Sequence, residues 1–311
     1  MSHHPDSKRR MLTVCTVAEL RSALAPAPRE GLSIGLVPTM GALHGGHLSL
    51  IERARAQCDL VVVSLFVNPT QFDERSDLER YPRQRHSDAA LAAGAGADVL
   101  FAPTAEEVYP PGFSTTVEVL GVSDVLEGAA RGAQHFRGVA TIVAKLLCMV
   151  MPDVAFFGQK DAQQVLVIGR LVSDLNLPVR IEVCPTVRDP DGLAMSSRNV
   201  LLSAEQRSRA LALPAALEAA SRLAAAGERS AAQLLRAARE VMLARGVEPE
   251  YVALVDPETF ELCEALVRPG LLVLAARIGE VRLIDNAVLA PAIATTRTVP
   301  RHRGLERTVT A

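Results

Sequence analysis

The stretch Leu32-Ser33-Ile34-Gly35-Leu36-Val37-Pro38-Thr39-Met40-Gly41-Ala42-Leu43-His44-Gly45-Gly46-His47 decides how the chain is built. Leu32–Val37 is a short apolar run ending at Pro38, which predicts a strand. A helical stretch over His47–Cys58 follows, so Pro38–His47 joins a strand to the start of a helix. A helix N-terminus offers free backbone N–H groups and the positive end of the dipole. Phosphate settles there, and Gly41, Gly45 and Gly46 let a ligand approach the backbone closely. His44 and His47 can turn both imidazoles to one side of a first helical turn. Two donors at that place suit the charge that grows on an α-phosphate under attack. Two other readings stand beside this one: a structural histidine at a glycine turn, and a pair of metal ligands. No Cys or nearby Glu completes a zinc set.

The same alternation repeats along the following sequence. Leu60–Val67 is a nearly continuous apolar run, the pattern of a strand buried on both faces. Asp88–Ala95 predicts a helix, Val99–Phe101 a strand, and Gly138–Val150 an apolar helix stopped by Pro152. Val154–Phe157, Asp161–Ser173 and Val179–Cys184 then predict strand, helix and strand. Such alternation points to an α/β fold, a Rossmann-like parallel sheet with helices on both faces. After about Asn199 the composition shifts. Ala204–Arg245 is rich in Ala, Leu, Arg and Glu, with a helix break at Gly227-Glu228. Tyr251–Val255 predicts a strand, and Leu271–Arg277 with Val281–Ile284 a hairpin. The expected organisation is a Rossmann-like domain over residues 1–185, a smaller α+β lid domain over 186–294, and a disordered tail over 295–311.

Composition narrows the function. The 311 residues suffice for two cores. A net charge of −2, with scattered basic residues and no Trp, gives no footprint for nucleic acid. No apolar run has the length of a membrane span, and Met11–Leu24 lacks the core of a signal peptide. The expected setting is cytoplasmic. The five cysteines, Cys15, Cys58, Cys148, Cys184 and Cys263, include no C-x-x-C pair. That argues against a disulfide framework and against structural zinc.

Two further segments carry chemistry. In Phe157-Gly158-Gln159-Lys160-Asp161 a strand ends, Gly158 turns, and Asp161 can cap the next helix. The carboxyl ends of parallel strands are where open α/β sheets bind ligands. Lys160 there can meet a phosphate as a point charge or stand as a solvated turn lysine. Met195-Ser196-Ser197-Arg198 offers two hydroxyls and a guanidinium, a set that grips phosphate oxygens, or else a polar loop. With Pro38–His47 it resembles the paired signatures of the nucleotidylyltransferase superfamily.

Taken together, residues 12 to 290 resemble the pantothenate synthetase (pantoate–β-alanine ligase) family. The matching segments are Pro38–His47, Val67–Phe72, Tyr81-Pro82-Arg83, His135–Val139, Phe156–Gln164, Pro185–Arg188, Gly192–Asn199 and Arg282–Asn286. The resemblance implies ATP-dependent adenylation of pantoate, release of pyrophosphate, and displacement of AMP by the amine of β-alanine. It implies that Met40, Gly41, Ala42, Leu43, His44, Gly45, Gly46 and His47 line the ATP site, with His44, His47 and Lys160 catalytic. Gly158, Gln159, Lys160 and Asp161 would hold the nucleotide, Val187 would contact adenine, and Met195, Ser196, Ser197 and Arg198 would close over ATP. Gln71 and Gln164 would bond pantoate, and neutral amides suit its two hydroxyls. Asn68 and Arg131 would be accessory contacts. Val139, Ile142 and Val143 are either ordinary core or packing for the gem-dimethyl group. Mg²⁺ is implied as a companion of ATP, with Asp88 as the protein's contact, since His86-Ser87-Asp88 holds one acid where relatives often carry more. A homodimer is implied too. Two rivals are a nucleotidylyltransferase acting on another cofactor precursor and a non-catalytic nucleotide sensor. Neutral Gln71 and Gln164 disfavour a phosphorylated acceptor, and the presence of His44, His47 and Lys160 disfavours a sensor.

Overall fold

Valine-rich runs that have no polar face become the centre of a parallel sheet. The computed structural model describes residues 10–72, 78–79 and 81–291; the expected tail over 295–311 lies outside them. The first sheet comprises β1 (Leu12–Val14), β2 (Ile34–Thr39), β3 (Leu60–Leu65), β4 (Val99–Phe101), β5 (Val154–Gly158) and β6 (Arg180–Cys184), in the order β1-β4-β3-β2-β5-β6. All five pairings are parallel. Leu36, Val61, Val62, Val63, Ala155 and Phe156 are fully buried, because helices cover both faces. The edge strands β1 and β6 are short and partly exposed. β1 escapes sequence reading: it has three residues, the first two exposed, and pairing with β4 alone makes it a strand.

The order reverses between β2 and β5. From β2 the chain passes through β3 to β4 on one side, then returns to place β5 and β6 on the other. That reversal opens a crevice at the carboxyl ends of β2 and β5. Helix Ala133–Val150 crosses below it against the Pro69–Gln71 turn. Gly138 permits the contact, since a Cβ there would lie 2.4 Å from the Thr70 carbonyl oxygen.

The second sheet is antiparallel: β7 (Pro249–Val255), β8 (Gly270–Ile278) and β9 (Val281–Leu289), ordered β7-β8-β9. β8 is buried on both faces, and its side chains alternate between two cores. Leu272, Leu274, Ala276 and Ile278 pack under helices Ala212–Ala225 and Ala231–Ala244. Leu271 and Val273 turn to Phe260 and to Ala162 and Leu166 of the first sheet's helix Ala162–Asp174. The helical region after Asn199 contains one more break than its glycine predicts. Helix Ala204–Ala210 ends before Ala212–Ala225 begins, because Pro214 has no N–H for the Ala210 carbonyl.

Candidate active site

The loop after β2 folds around its histidines. Helix Gly45–Gln57 begins two residues earlier than the sequence suggests, so His44 is its N-cap and His47 its third residue. The His44 Nδ1 accepts the Gly46 N–H at 3.2 Å, and the His47 Nδ1 accepts the His44 N–H at 3.4 Å. Two imidazoles thus make the reciprocal cap that Ser and Glu usually make. A nitrogen that accepts cannot carry the proton in a neutral ring, so both rings hold it on Nε2. The ring centroids are 4.1 Å apart. Burial, then the Lys160 charge, lowers the His44 pKa. Burial, then His44, pushes His47 down to about 3. The pair is neutral at physiological pH and offers N–H donors without charge.

A single cleft spans the carboxyl ends of β2 and β5 and the facing side of the second sheet. It gathers Met40, His44, Gly46, His47, Asn68, Gln71, Arg131, Gly158, Lys160, Asp161, Gln164, Val187 and Met195 through Arg198. Val139, Ile142 and Val143 border it too, and they are also core: each is at most 6% exposed. Gly41, Ala42, Leu43, Gly45 and Gln159 are not among the residues that line it. Gly45 makes room for Met195, whose Sδ would be 2.9 Å from a Cβ there.

Asp88 braces the loop from behind. It is 2% exposed, and its Oδ2 and Oδ1 accept the N–H groups of Ala42 (3.0 Å) and Leu43 (2.8 Å). It holds the back of the glycine loop and is not among the residues that line the cleft. Among the described residues, no three His, Cys, Asp or Glu side chains converge as a metal cage. Asp161 occupies the N-cap position of helix Ala162–Asp174 without a side-chain cap; its Oδ1 lies 3.6 Å from the Lys160 Nζ.

One end of the cleft is set by a hydrogen-bond chain. The Tyr109 hydroxyl donates to Asn68 Oδ1 at 2.8 Å, and Asn68 Nδ2 donates to Gln71 Oε1 at 3.1 Å. With its oxygen occupied, Gln71 presents its NH₂, which reaches the Met40 Sδ at 2.7 Å. Gln163 is spent on the Val122 and Val125 carbonyls, both at 2.7 Å. Its neighbour Gln164, a helical step round, borders the cleft. In the Met195–Arg198 loop, Ser196 Oγ accepts the Arg198 N–H at 3.2 Å, and the Tyr81 and Ser197 hydroxyls are 3.4 Å apart.

Several lining residues had no assigned role in the sequence. His135 donates Nδ1–H to the Gln71 carbonyl at 2.9 Å; burial, then Arg131, pushes it down to about 4. Glu127 receives both terminal nitrogens of Arg282 at 2.7 Å and the Tyr251 hydroxyl at 2.6 Å. Burial pushes the Glu127 carboxyl upward, but the Arg282 fork outweighs it and holds the pKa below its usual range. The sequence signals for this set were His135 and Arg282, within the matching segments His135–Val139 and Arg282–Asn286; Glu127 and Tyr251 lie outside them.

Known proteins resemble this chain over most of its length. A profile of the pantoate-β-alanine ligase family matches residues 12–288. The pantothenate synthetase of Moorella thermoacetica is 53% identical over 275 residues, 88% of this chain and 97% of that one. A crystal structure of pantothenate synthetase from Thermus thermophilus superposes with a TM-score of 0.86 at 49% identity, covering 90% of this chain and all of the other. That of the Francisella tularensis pantoate-β-alanine ligase, complexed with β,γ-ATP and β-alanine, gives a TM-score of 0.75 at 35% identity over 89% of this chain and 97% of its own. On the strength of a profile and relatives that span nearly the whole described chain, the protein belongs to the pantoate-β-alanine ligase family.

Proposed function

We infer that the chain joins pantoate to β-alanine, using ATP and giving pantothenate, AMP and pyrophosphate. One observation carries this: the neutral His44–His47 pair and Lys160 meet Gln71 and Gln164 in a single cleft at the sheet's switch point. A pantoate carboxylate oxygen attacks the α-phosphorus of ATP. The bond from that phosphorus to the bridging oxygen breaks, and pyrophosphate leaves with the electron pair. The Nε2–H groups of His44 and His47 donate to α-phosphate oxygens as charge gathers on them. The Lys160 ammonium meets the phosphates that depart. Gln71 donates its amide protons to pantoate and Gln164 fixes a hydroxyl, which aligns the carboxylate. The β-alanine nitrogen then attacks the acyl carbon, the bond to AMP breaks, and the amine proton passes to solvent. No side chain forms a covalent bond to substrate.

Mg²⁺ in this proposal arrives on the ATP phosphates, keeping most of its waters. The family resemblance supports an assembly of two chains. The free cysteines support a reducing, cytoplasmic setting. The test is pyrophosphate release from ATP on adding pantoate, against other hydroxy acids, followed by pantothenate on adding β-alanine. Release that shows no preference for pantoate overturns the assignment.

A further inference from the structure

Asp285 and Asn286 are the polar pair in β9. Neighbours on a strand point to opposite faces, yet both are buried, at 2% and 6% exposed, and both border the cleft. Each is committed to a different wall. Asn286 Nδ2 donates to the carbonyls of Gln159 and Lys160, both at 3.0 Å, and its Oδ1 faces Gln159 Nε2 at 3.4 Å. Two donors and one acceptor fix the amide's orientation. Asp285 takes both terminal nitrogens of Arg188, at 2.6 and 3.0 Å, and accepts the Asn286 N–H at 2.8 Å. Arg188 also donates to the Gly192 carbonyl at 3.1 Å and pairs with Ala194 across the loop. Met195–Arg198 leaves directly from that loop, and the Met195 N–H returns to the Val187 carbonyl at 3.0 Å.

One dipeptide of the second sheet therefore grips the Gln159–Asp161 turn of the first and the base of the Met195–Arg198 loop. A lysine on a four-carbon stem is otherwise free to wander. Capturing the carbonyls on either side of its Cα fixes where the stem begins. We infer that Asn286 is a positioning residue for Lys160, and that with Asp285 it sets the spacing between the two walls that hold ATP. This rests on the placement of ATP in the cleft.

The test compares Asn286→Ala, Asn286→Asp, Lys160→Ala and the Asn286→Ala/Lys160→Ala double variant in the full-length protein. ATP and pantoate dissociation constants are measured separately by calorimetry. Asn286→Ala is expected to weaken ATP about tenfold, the scale of a lost multiple hydrogen bond, and pantoate less than about twofold. Asn286→Asp is isosteric but sets a carboxylate against two carbonyls, so it should weaken ATP at least as much. In the Lys160→Ala background Asn286→Ala should cost ATP less than about threefold, because the lysine it positions is gone. Full additivity, equal weakening of ATP and pantoate, or unchanged ATP affinity in Asn286→Ala overturns the inference. If Asn286→Ala does not fold, Asn286→Ser is measured to the same thresholds. Should the wild type bind ATP but release no pyrophosphate with pantoate, the assigned reaction falls, while ATP affinities still decide the role of Asn286.

Discussion

The carboxylate of Asp88 closes on the backbone of Leu43: its Oδ1 takes that N–H at 2.8 Å while Oδ2 takes the N–H of Ala42 at 3.0 Å. Gly41 and Ala42 sit at φ +93° and +51°, a left-handed course that a side chain rarely adopts unaided. Asp88→Asn replaces one acceptor with an NH₂ that faces an N–H. A stranded buried donor costs about 1–3 kcal/mol. The expected outcome is a lower melting temperature and weaker ATP, with the Mg²⁺ midpoint of pyrophosphate release unchanged at saturating ATP. Ser87 is exposed and donates to the Gln84 carbonyl at 3.0 Å, so Ser87→Asp should leave that midpoint unchanged too. A Mg²⁺ titration of the three proteins checks both; a midpoint that moves in Asp88→Asn returns the residue to the metal.

His44→Ala and His47→Ala should each slow adenylate formation by about 10² to 10³, the scale of losing a transition-state donor. Single-turnover quench measurements read this directly. Because each ring also caps the helix, loss of the cap should cost about 1 kcal/mol of stability as well. Nitrogen NMR supplies a separate check: His44 and His47 should carry Nε2–H, and His135 Nδ1–H.

Gln71 presents its amide protons because Asn68 occupies its oxygen. Gln71→Glu keeps the shape and removes those donors, so it should raise the KM for pantoate at least tenfold, while the KM for ATP changes by less than about twofold. Tyr109→Phe releases the chain one link earlier and should have a smaller effect in the same direction. Steady-state kinetics with each substrate varied in turn checks both.

Acid should destabilise the protein through its buried imidazoles. His135 is held at about 4 in the folded chain, below the ordinary value near 6.5. The unfolded chain therefore binds more protons between those limits, and stability falls as pH drops from about 6.5 towards about 4. The contribution of His135 reaches about 3 kcal/mol at the acid end. Urea melts at pH 7 and pH 4.5 should show the loss, and His135→Gln should reduce the difference.

What the sequence discloses and what it conceals divide along contact distance. β3 and β5 are readable because strands buried on both faces leave nearly continuous apolar runs. His44, His47 and Lys160 are readable because a strand, a glycine turn and a helix start place them locally. Arg282 meets Glu127 across 155 positions, and Asn286 meets the Lys160 carbonyl across 126. No periodicity encodes such pairs, since they exist only once the two sheets face each other. Asp88 shows the same limit: a carboxylate near a phosphate loop suggests a cation, while its bonds to the Ala42 and Leu43 N–H groups come into view only with the fold.

The buried Glu127–Arg282–Tyr251 junction bears on grafting parts between relatives. Arg282 also bonds Glu250 at 2.6 Å, so one guanidinium serves a carboxylate of its own sheet and one of the helix Glu127–Arg131 across the cleft. A hybrid that takes its C-terminal sheet from a cousin imports Arg282, Tyr251 and Asn286 as a set. That set finds its counterparts only if the recipient supplies Glu127 and the Gln159-Lys160 turn in matching positions. A mismatch leaves a guanidinium or a carboxylate sealed from water without its counterion, which is costlier than either sheet's own core can absorb. The portable unit in this architecture is therefore the seam together with both of its banks.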